Sequence, residues 1–126
     1  MKKPHSFPEL SKSELDIMKI LWQNGRGSGR EVHDQLVKSY DWAYSTTKTI
    51  MDRMVKKGHL SRDNFHGVFL YSPLISKPLG LANFVRNFAD RVLELDYGSV
   101  VSLFARSQAL TPKEIEELTR LLEDDQ

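Results

Sequence analysis

Between Tyr44 and Gly58 the chain sets short hydroxyls and long cations at helical spacing: Ser45, Thr46, Lys48, Thr49, Arg53 and Lys56. Projected at about 100° per residue, Ser45, Thr49, Asp52, Arg53 and Lys56 share one helix face, with Thr46 and Lys48 at its flanks. Thr47, Ile50, Met51, Met54 and Val55 share the opposite face and should be core. Threonine can bond a base edge or pack on a thymine methyl, and a lysine near the N-terminal end of such a helix can reach guanine. Cations nearer the far end, Lys56 and Lys57, suit phosphate, which positions a protein without reading sequence. The chemistry on offer is recognition by hydrogen bond and charge. The bland alternative is a solvated face, since lysine and threonine are common on surfaces.

What surrounds the helix argues against the bland alternative. Ser11 and Glu14 have capping-box spacing, and Leu15, Met18, Leu21 and Trp22 follow at helical intervals until Asn24-Gly25. Ser28 and Glu31 repeat the box and open a second helix through Val32, Leu36 and Val37. The third helix starts at Ser45, runs over 45–57, and stops at Gly58. Residues 60–62 and 68–72 then read as strands around a turn-rich loop over 63–67. Three helices and a hairpin are the order in which a winged helix presents a recognition helix and its wing, here 63–68. In that wing Asn64, His66 and the backbone around Gly67 are placed to lie along the duplex backbone or minor groove.

Pro73 and Pro78 bracket the passage into a purely helical second part, giving expected domains of 1–75 and 76–126. Leu81, Phe84, Val85, Phe88, Val92 and Leu95 keep one face of a long helix apolar. Tyr97-Gly98 interrupts it, and Val100, Val101, Leu103 and Phe104 form a short apolar segment. Thr111 and Glu114 make a third capping box, with Pro112 at the first helical position, ahead of Ile115, Leu118, Leu121 and Leu122. About 50 residues make a poor independent core. A second copy of the same segment would complete it, with Phe84, Phe88, Val92, Val101, Phe104, Leu118 and Leu121 as the dimerisation residues. The alternative is that these helices fold back on the first half within a monomer.

Composition agrees. Residues 1–75 hold 12 Lys/Arg against 8 Asp/Glu, and residues 76–126 hold 6 against 9, which suits a basic DNA-facing part joined to one that is not. The absence of cysteine excludes disulfides, thiolate metal sites and cysteine nucleophiles. His5, His33, His59 and His66 lack metal-ligand spacing, so no metal is expected. No nucleophile elbow or glycine-rich phosphate loop occurs, and neither enzymatic activity nor a cofactor is expected. Trp22 and Trp42 suit core or interface anchors. With no apolar run near the roughly 20 residues of a membrane span and no leader-like segment after Lys2-Lys3, a soluble, cytoplasmic protein without membrane insertion is expected.

The residues Leu10-Ser-Lys-Ser-Glu-Leu-Asp-Ile-Met-Lys-Ile-Leu-Trp22, Arg30-Glu-Val32, Asp41-Trp-Ala-Tyr-Ser-Thr-Thr-Lys-Thr-Ile-Met-Asp-Arg-Met-Val-Lys-Lys-Gly58 and Tyr71-Ser-Pro-Leu74 closely resemble the BlaI/MecI penicillinase-repressor family. The likeness extends from about Leu10 to Leu122. It includes Ser99-Val-Val-Ser-Leu-Phe104 and Glu114-Ile-Glu-Glu-Leu118. The resemblance implies a homodimeric winged-helix repressor of double-stranded operator DNA with a palindromic site, dimerised through its C-terminal helices. It puts base and phosphate contacts at Tyr44, Ser45, Thr46, Lys48 and Thr49, supported by Arg53 and the wing. Some members are released from DNA when a membrane sensor with a zinc metallopeptidase domain triggers their proteolysis. That cut maps between Leu103 and Phe104, where the chain departs from those members: Leu103 replaces their asparagine. A copper-responsive branch relies on a cysteine pair, which this chain lacks. The rival is a winged helix used as a protein-interaction module; the cationic third helix argues against it.

Overall fold

The computed structural model describes residues 7–93 and 96–124, with side chains except at 91–93 and 97. Two compact units emerge, one over Leu10–Ser76 and one formed by residues 7–9 and 77–124. Residues 7–9 thus group with the second unit, where the sequence alone put them with the first.

In the first unit, α1 (Lys12–Asn24) begins where the Glu14 amide donates to Ser11 Oγ at 3.2 Å and the Ser11 amide donates back to Glu14 Oε1 at 2.8 Å. It ends at Gly25, whose φ of 90° is open to glycine and strained for residues with a Cβ. The short strand β1 (Gly27–Ser28) leads into α2 (Gly29–Leu36), capped by the same reciprocal pair of bonds between Ser28 and Glu31. Helix α3 (Tyr44–Lys56) starts one residue before the expected Ser45, with Ala43 at the cap position and no side-chain cap bond. The Trp42 indole anchors this start instead, donating to Thr47 Oγ1 at 2.9 Å.

Strands β2 (Leu60–Phe65) and β3 (Val68–Pro73) form the wing, and the sheet order is β1-β3-β2, antiparallel throughout. Both wing strands are longer than the sequence suggested. The expected five-residue loop contracts to His66-Gly67, with φ of 54° and 85°. Two positive φ values are what a two-residue type I′ hairpin needs. The Gly67 amide donates to Asn64 Oδ1 at 2.9 Å across the turn. Strand β1, two residues long, carries no periodicity and was not foreseen.

Helices and sheet close over Ile17, Met18, Leu21, Val32, Leu36, Met51, Met54, Leu60 and Tyr71, all buried. Trp22 and Trp42 pack at the edge of this core, and Trp22 Nε1 donates to the Ile75 carbonyl at 2.9 Å. Lys57 donates to the buried Glu14 carboxylate at 2.8 Å, tying the end of α3 to the start of α1.

The second unit contains α4 (Lys77–Asn87), continuing as a π-helical stretch over Phe88–Leu93, then α5 (Tyr97–Ser107) and α6 (Pro112–Asp124). Asp96 caps α5, accepting the Ser99 amide at 2.7 Å, and Thr111 and Glu114 cap α6 reciprocally. Its core is Ala82, Val85, Ala89, Val100, Val101, Leu110, Leu118 and Leu122. The buried face of α4 is therefore lined by small residues, which let α6 pack close, and Phe84 and Phe88, expected at a dimer interface, stay exposed. Val101 and Leu118, expected at a dimer interface, are buried in the unit's own core. The Val92 side chain and Leu95 lie outside the described residues. Among the described residues, no helix is long and apolar enough to cross a membrane.

Candidate nucleic-acid interface

The outward face of α3 follows from its inward one. Thr47, Met51 and Met54 are buried, and with 3.6 residues per turn that burial turns Ser45, Thr49, Arg53 and Lys56 outward along one exposed stripe. Thr49, Arg53 and Lys56, with Asp52, line a shallow cleft of about 270 Å³. Thr47 is a polar residue at zero exposure, and its hydroxyl meets both His33 Nδ1 at 2.8 Å and the Trp42 indole at 2.9 Å. One oxygen thus joins α2, α3 and the segment between them, which fixes how α3 is presented.

Tyr44 opens α3 half-buried. The Arg30 guanidinium lies 4.1 Å from its ring centroid, and the His33 ring meets it edge-on at 5.7 Å. A Cβ on Gly29 would come within 3.1 Å of the Tyr44 hydroxyl, so the absence of a side chain there makes room for this tyrosine. Tyr44 and Lys48 line a groove of about 280 Å³ with Ser28, Gly29, Arg30 and residues 67–69 and 71 of the wing.

Lys48 is not loose on the surface. Its ammonium donates to Asp52 Oδ2 at 2.9 Å, one turn along α3. Asp52 Oδ1 accepts from Arg62 Nη1 at 3.0 Å and from the Tyr71 hydroxyl at 2.6 Å. Burial raises the Asp52 carboxyl, but the bonds from Tyr71, Lys48 and Arg62 outweigh it and hold Asp52 below its ordinary value. Burial and then the Asp52 carboxylate push the Tyr71 phenol far above its ordinary value. The Phe69 ring backs both cations, at 4.5 Å from the Arg62 guanidinium and 5.8 Å from the Lys48 ammonium.

The wing tip is apolar and exposed at Phe65, Val68 and Phe69. The Arg26 guanidinium and the His66 ring both approach Phe65.

A surface of hydroxyls and cations on a helix beside a hairpin can receive a polyanion. Residues 10–124 match the pattern of the family described as penicillinase repressor. The chain belongs to that family. The penicillinase repressor of Bacillus licheniformis is 32% identical over 118 residues, covering 94% of this chain and 92% of that one. The methicillin resistance regulatory protein MecI of Staphylococcus aureus (strain N315) is 28% identical over 114 residues, covering 90% and 93%. The chain is similar in structure to the DNA-binding domain of the repressor BlaI (TM-score 0.51, 33% identity, 58% of this chain and 89% of that one). It is also similar to the monomeric form of Bacillus licheniformis BlaI in complex with the blaP half-operator (TM-score 0.52, 32% identity, 60% and 92%).

In this member of the penicillinase repressor family, the expected site residues fall into three groups. Ser45, Thr49, Arg53 and Lys56 form the exposed stripe, and Thr46 lies half-buried beside it. Tyr44 and Lys48 belong to the groove facing the wing. His66 sits apart at the wing tip, exposed. Gly29, Arg30, Arg62, Phe69 and Tyr71, which line the groove or contact Lys48 and Asp52, were not among the expected site residues, and the bonds of Asp52 were not expected. The i, i+4 spacing of Lys48 and Asp52 was a usable signal. The pairing of Arg62 with Tyr71 required the register of β2 on β3.

Proposed function

We propose that the chain is a DNA-binding transcriptional repressor that reads operator DNA through the outward face of α3, with the wing alongside. The observation that carries this is the stripe Ser45, Thr49, Arg53 and Lys56 with Lys48 and Tyr44 at its flank, on a helix held from behind by Thr47. Membership of the penicillinase repressor family and the likeness to a relative solved with a half-operator support it. Hydroxyls toward the N-terminal end meet base edges, and Arg53 and Lys56 meet phosphate.

Repression follows from occupancy of a promoter by a homodimer, with two copies of α3 in successive major grooves about 34 Å apart. The exposed Phe84, Phe88 and Leu103 of the second unit are the surface available to a second copy, and Leu121 of α6 is half-buried. Phe104, half-buried, packs against the unit's own core. Relief by proteolysis at Leu103–Phe104, triggered by a membrane sensor with a metallopeptidase domain, requires the middle of α5 to unwind, because proteases act on opened chain.

One specific observation favours a second reading. The wing exposes Phe65 and Phe69, and exposed aromatics also suit protein contacts. Selection of bound duplexes from a random library, with wild type beside a Thr46→Ala/Lys48→Ala variant, separates the two. A palindromic motif lost by the variant supports a dimeric sequence reader. A folded protein that retains no DNA would overturn the DNA reading and favour the protein-contact one.

A further inference from the structure

Asp52 is the only acidic residue between Tyr44 and Lys57, and it sits in the middle of the surface proposed to face a polyanion. A carboxylate there opposes every phosphate contact. Its side chain nevertheless converges three donors from three elements: Lys48 of α3 at 2.9 Å, Arg62 of β2 at 3.0 Å and Tyr71 of β3 at 2.6 Å. The Phe69 ring lies near both cations. A carboxylate bond and a neighbouring ring restrict Lys48 and Arg62, although long cations have much rotamer freedom to lose on binding.

A structural purpose accounts for the bond from the buried Tyr71 but poorly for the two ion pairs. The side chains of Lys48, Asp52 and Arg62 are 41%, 29% and 36% exposed, and ion pairs at such exposure contribute little stability. Two consequences for recognition point the same way. Fixing the cations beforehand lowers the cost of meeting a matching duplex, and the negative charge penalises duplexes that offer only phosphates.

We propose that Asp52 is a positioning residue that sets sequence discrimination, holding Lys48 and Arg62 in the geometry from which they meet DNA while opposing contacts that carry no sequence information. This rests on the DNA-binding reading above. The wing and α3 are then one recognition unit, coupled through the Asp52 carboxylate.

The test is Asp52→Asn in the full chain, which removes the charge and keeps an acceptor for Tyr71. Affinity is measured at several salt concentrations for the duplex selected by wild type and for a scrambled duplex of the same composition. The expected result is tighter binding of the scrambled duplex and a ratio of selected to scrambled affinity reduced by about tenfold, the scale of one lost base discrimination. The salt dependence should steepen by about one phosphate contact, a slope change near 0.9. In a Lys48→Gln background the same substitution should change the ratio far less, because the cation being positioned is gone. Equal loss on both duplexes with a lowered melting temperature would mean a structural tie and overturn the proposal. An unchanged ratio and slope in a discriminating wild type would overturn it alone. A wild type without preference for its selected duplex would overturn the DNA reading as well.

Discussion

Lys48 and Lys57 show how one residue type acquires different duties from its surroundings. Lys48 is held at the groove by Asp52, so Lys48→Ala removes a pre-set donor. Operator affinity should fall by about 1–3 kcal/mol with relaxed base preference if it touches a base; a duplex-binding series that shows equal loss on all sequences would assign it to phosphate. Lys57 instead meets Glu14, whose carboxylate is buried and also closes the cap of α1. Burial raises the Glu14 carboxyl, but Lys57 and Ser11 outweigh it and leave it below its ordinary value. A depressed folded value means that ionised Glu14 stabilises the fold above about pH 4.3, the ordinary glutamate value, and that this is lost as pH falls through the folded value. Thermal melts between pH 6 and pH 3, roughly the window around that value, should fall more steeply for wild type than for Glu14→Gln.

At the scale of elements, the hold on α3 rests on few groups. Thr47→Val keeps shape but removes the oxygen shared by His33 and Trp42. Leaving buried polar groups unpaired costs about 1–3 kcal/mol, so a denaturant melt should register a loss in that range, with DNA affinity falling as α3 shifts. The wing turn is a second such point. Gly67 has φ of 85°, and a side chain in that region costs roughly 1–2 kcal/mol. Gly67→Ala should therefore loosen the wing, seen as faster amide exchange in β2 and β3, while α1 to α3 keep their protection. The groups that face DNA in the proposed mechanism are thus precise only because buried partners behind them are.

For the whole molecule, the two compact units suggest separable failures. Phe88 is 44% exposed on the second unit, whereas Leu118 is fully buried in it. If the proposed homodimer forms through this surface, Phe88→Asp should shift sedimentation from dimer toward monomer while the first unit keeps its melting transition. Operator affinity would then drop by roughly 10² to 10⁴, the gain that linking two half-site readers provides. Leu118→Ala should instead unfold the second unit, at a cost of about 2–5 kcal/mol for a core leucine. A Phe88→Asp protein that remains dimeric would rule Phe88 out of the proposed dimer surface.

Local signals carried much of this protein. The serine and threonine capping boxes at Ser11, Ser28 and Thr111, the glycine stop at Gly58 and the apolar spacing of Thr47, Met51 and Met54 lie within a few residues of the bonds they make, so sequence alone determined those helices and the outward stripe of α3. Near-neighbour spacing could not set what depends on distant partners. The strand Gly27–Ser28 exists only because β3 pairs with it. The burial of Leu118, and the exposure of Phe84 and Phe88, were decided by which face of α4 met α6, where small residues allowed closer packing than phenylalanine would, and Val101 of α5 joins the same core. Spacing puts Asp52 on the outward face of α3, but only the register of the wing brings Arg62 and Tyr71 to it. Periodicity determines which side of an element is inside; only tertiary packing decides what that side touches.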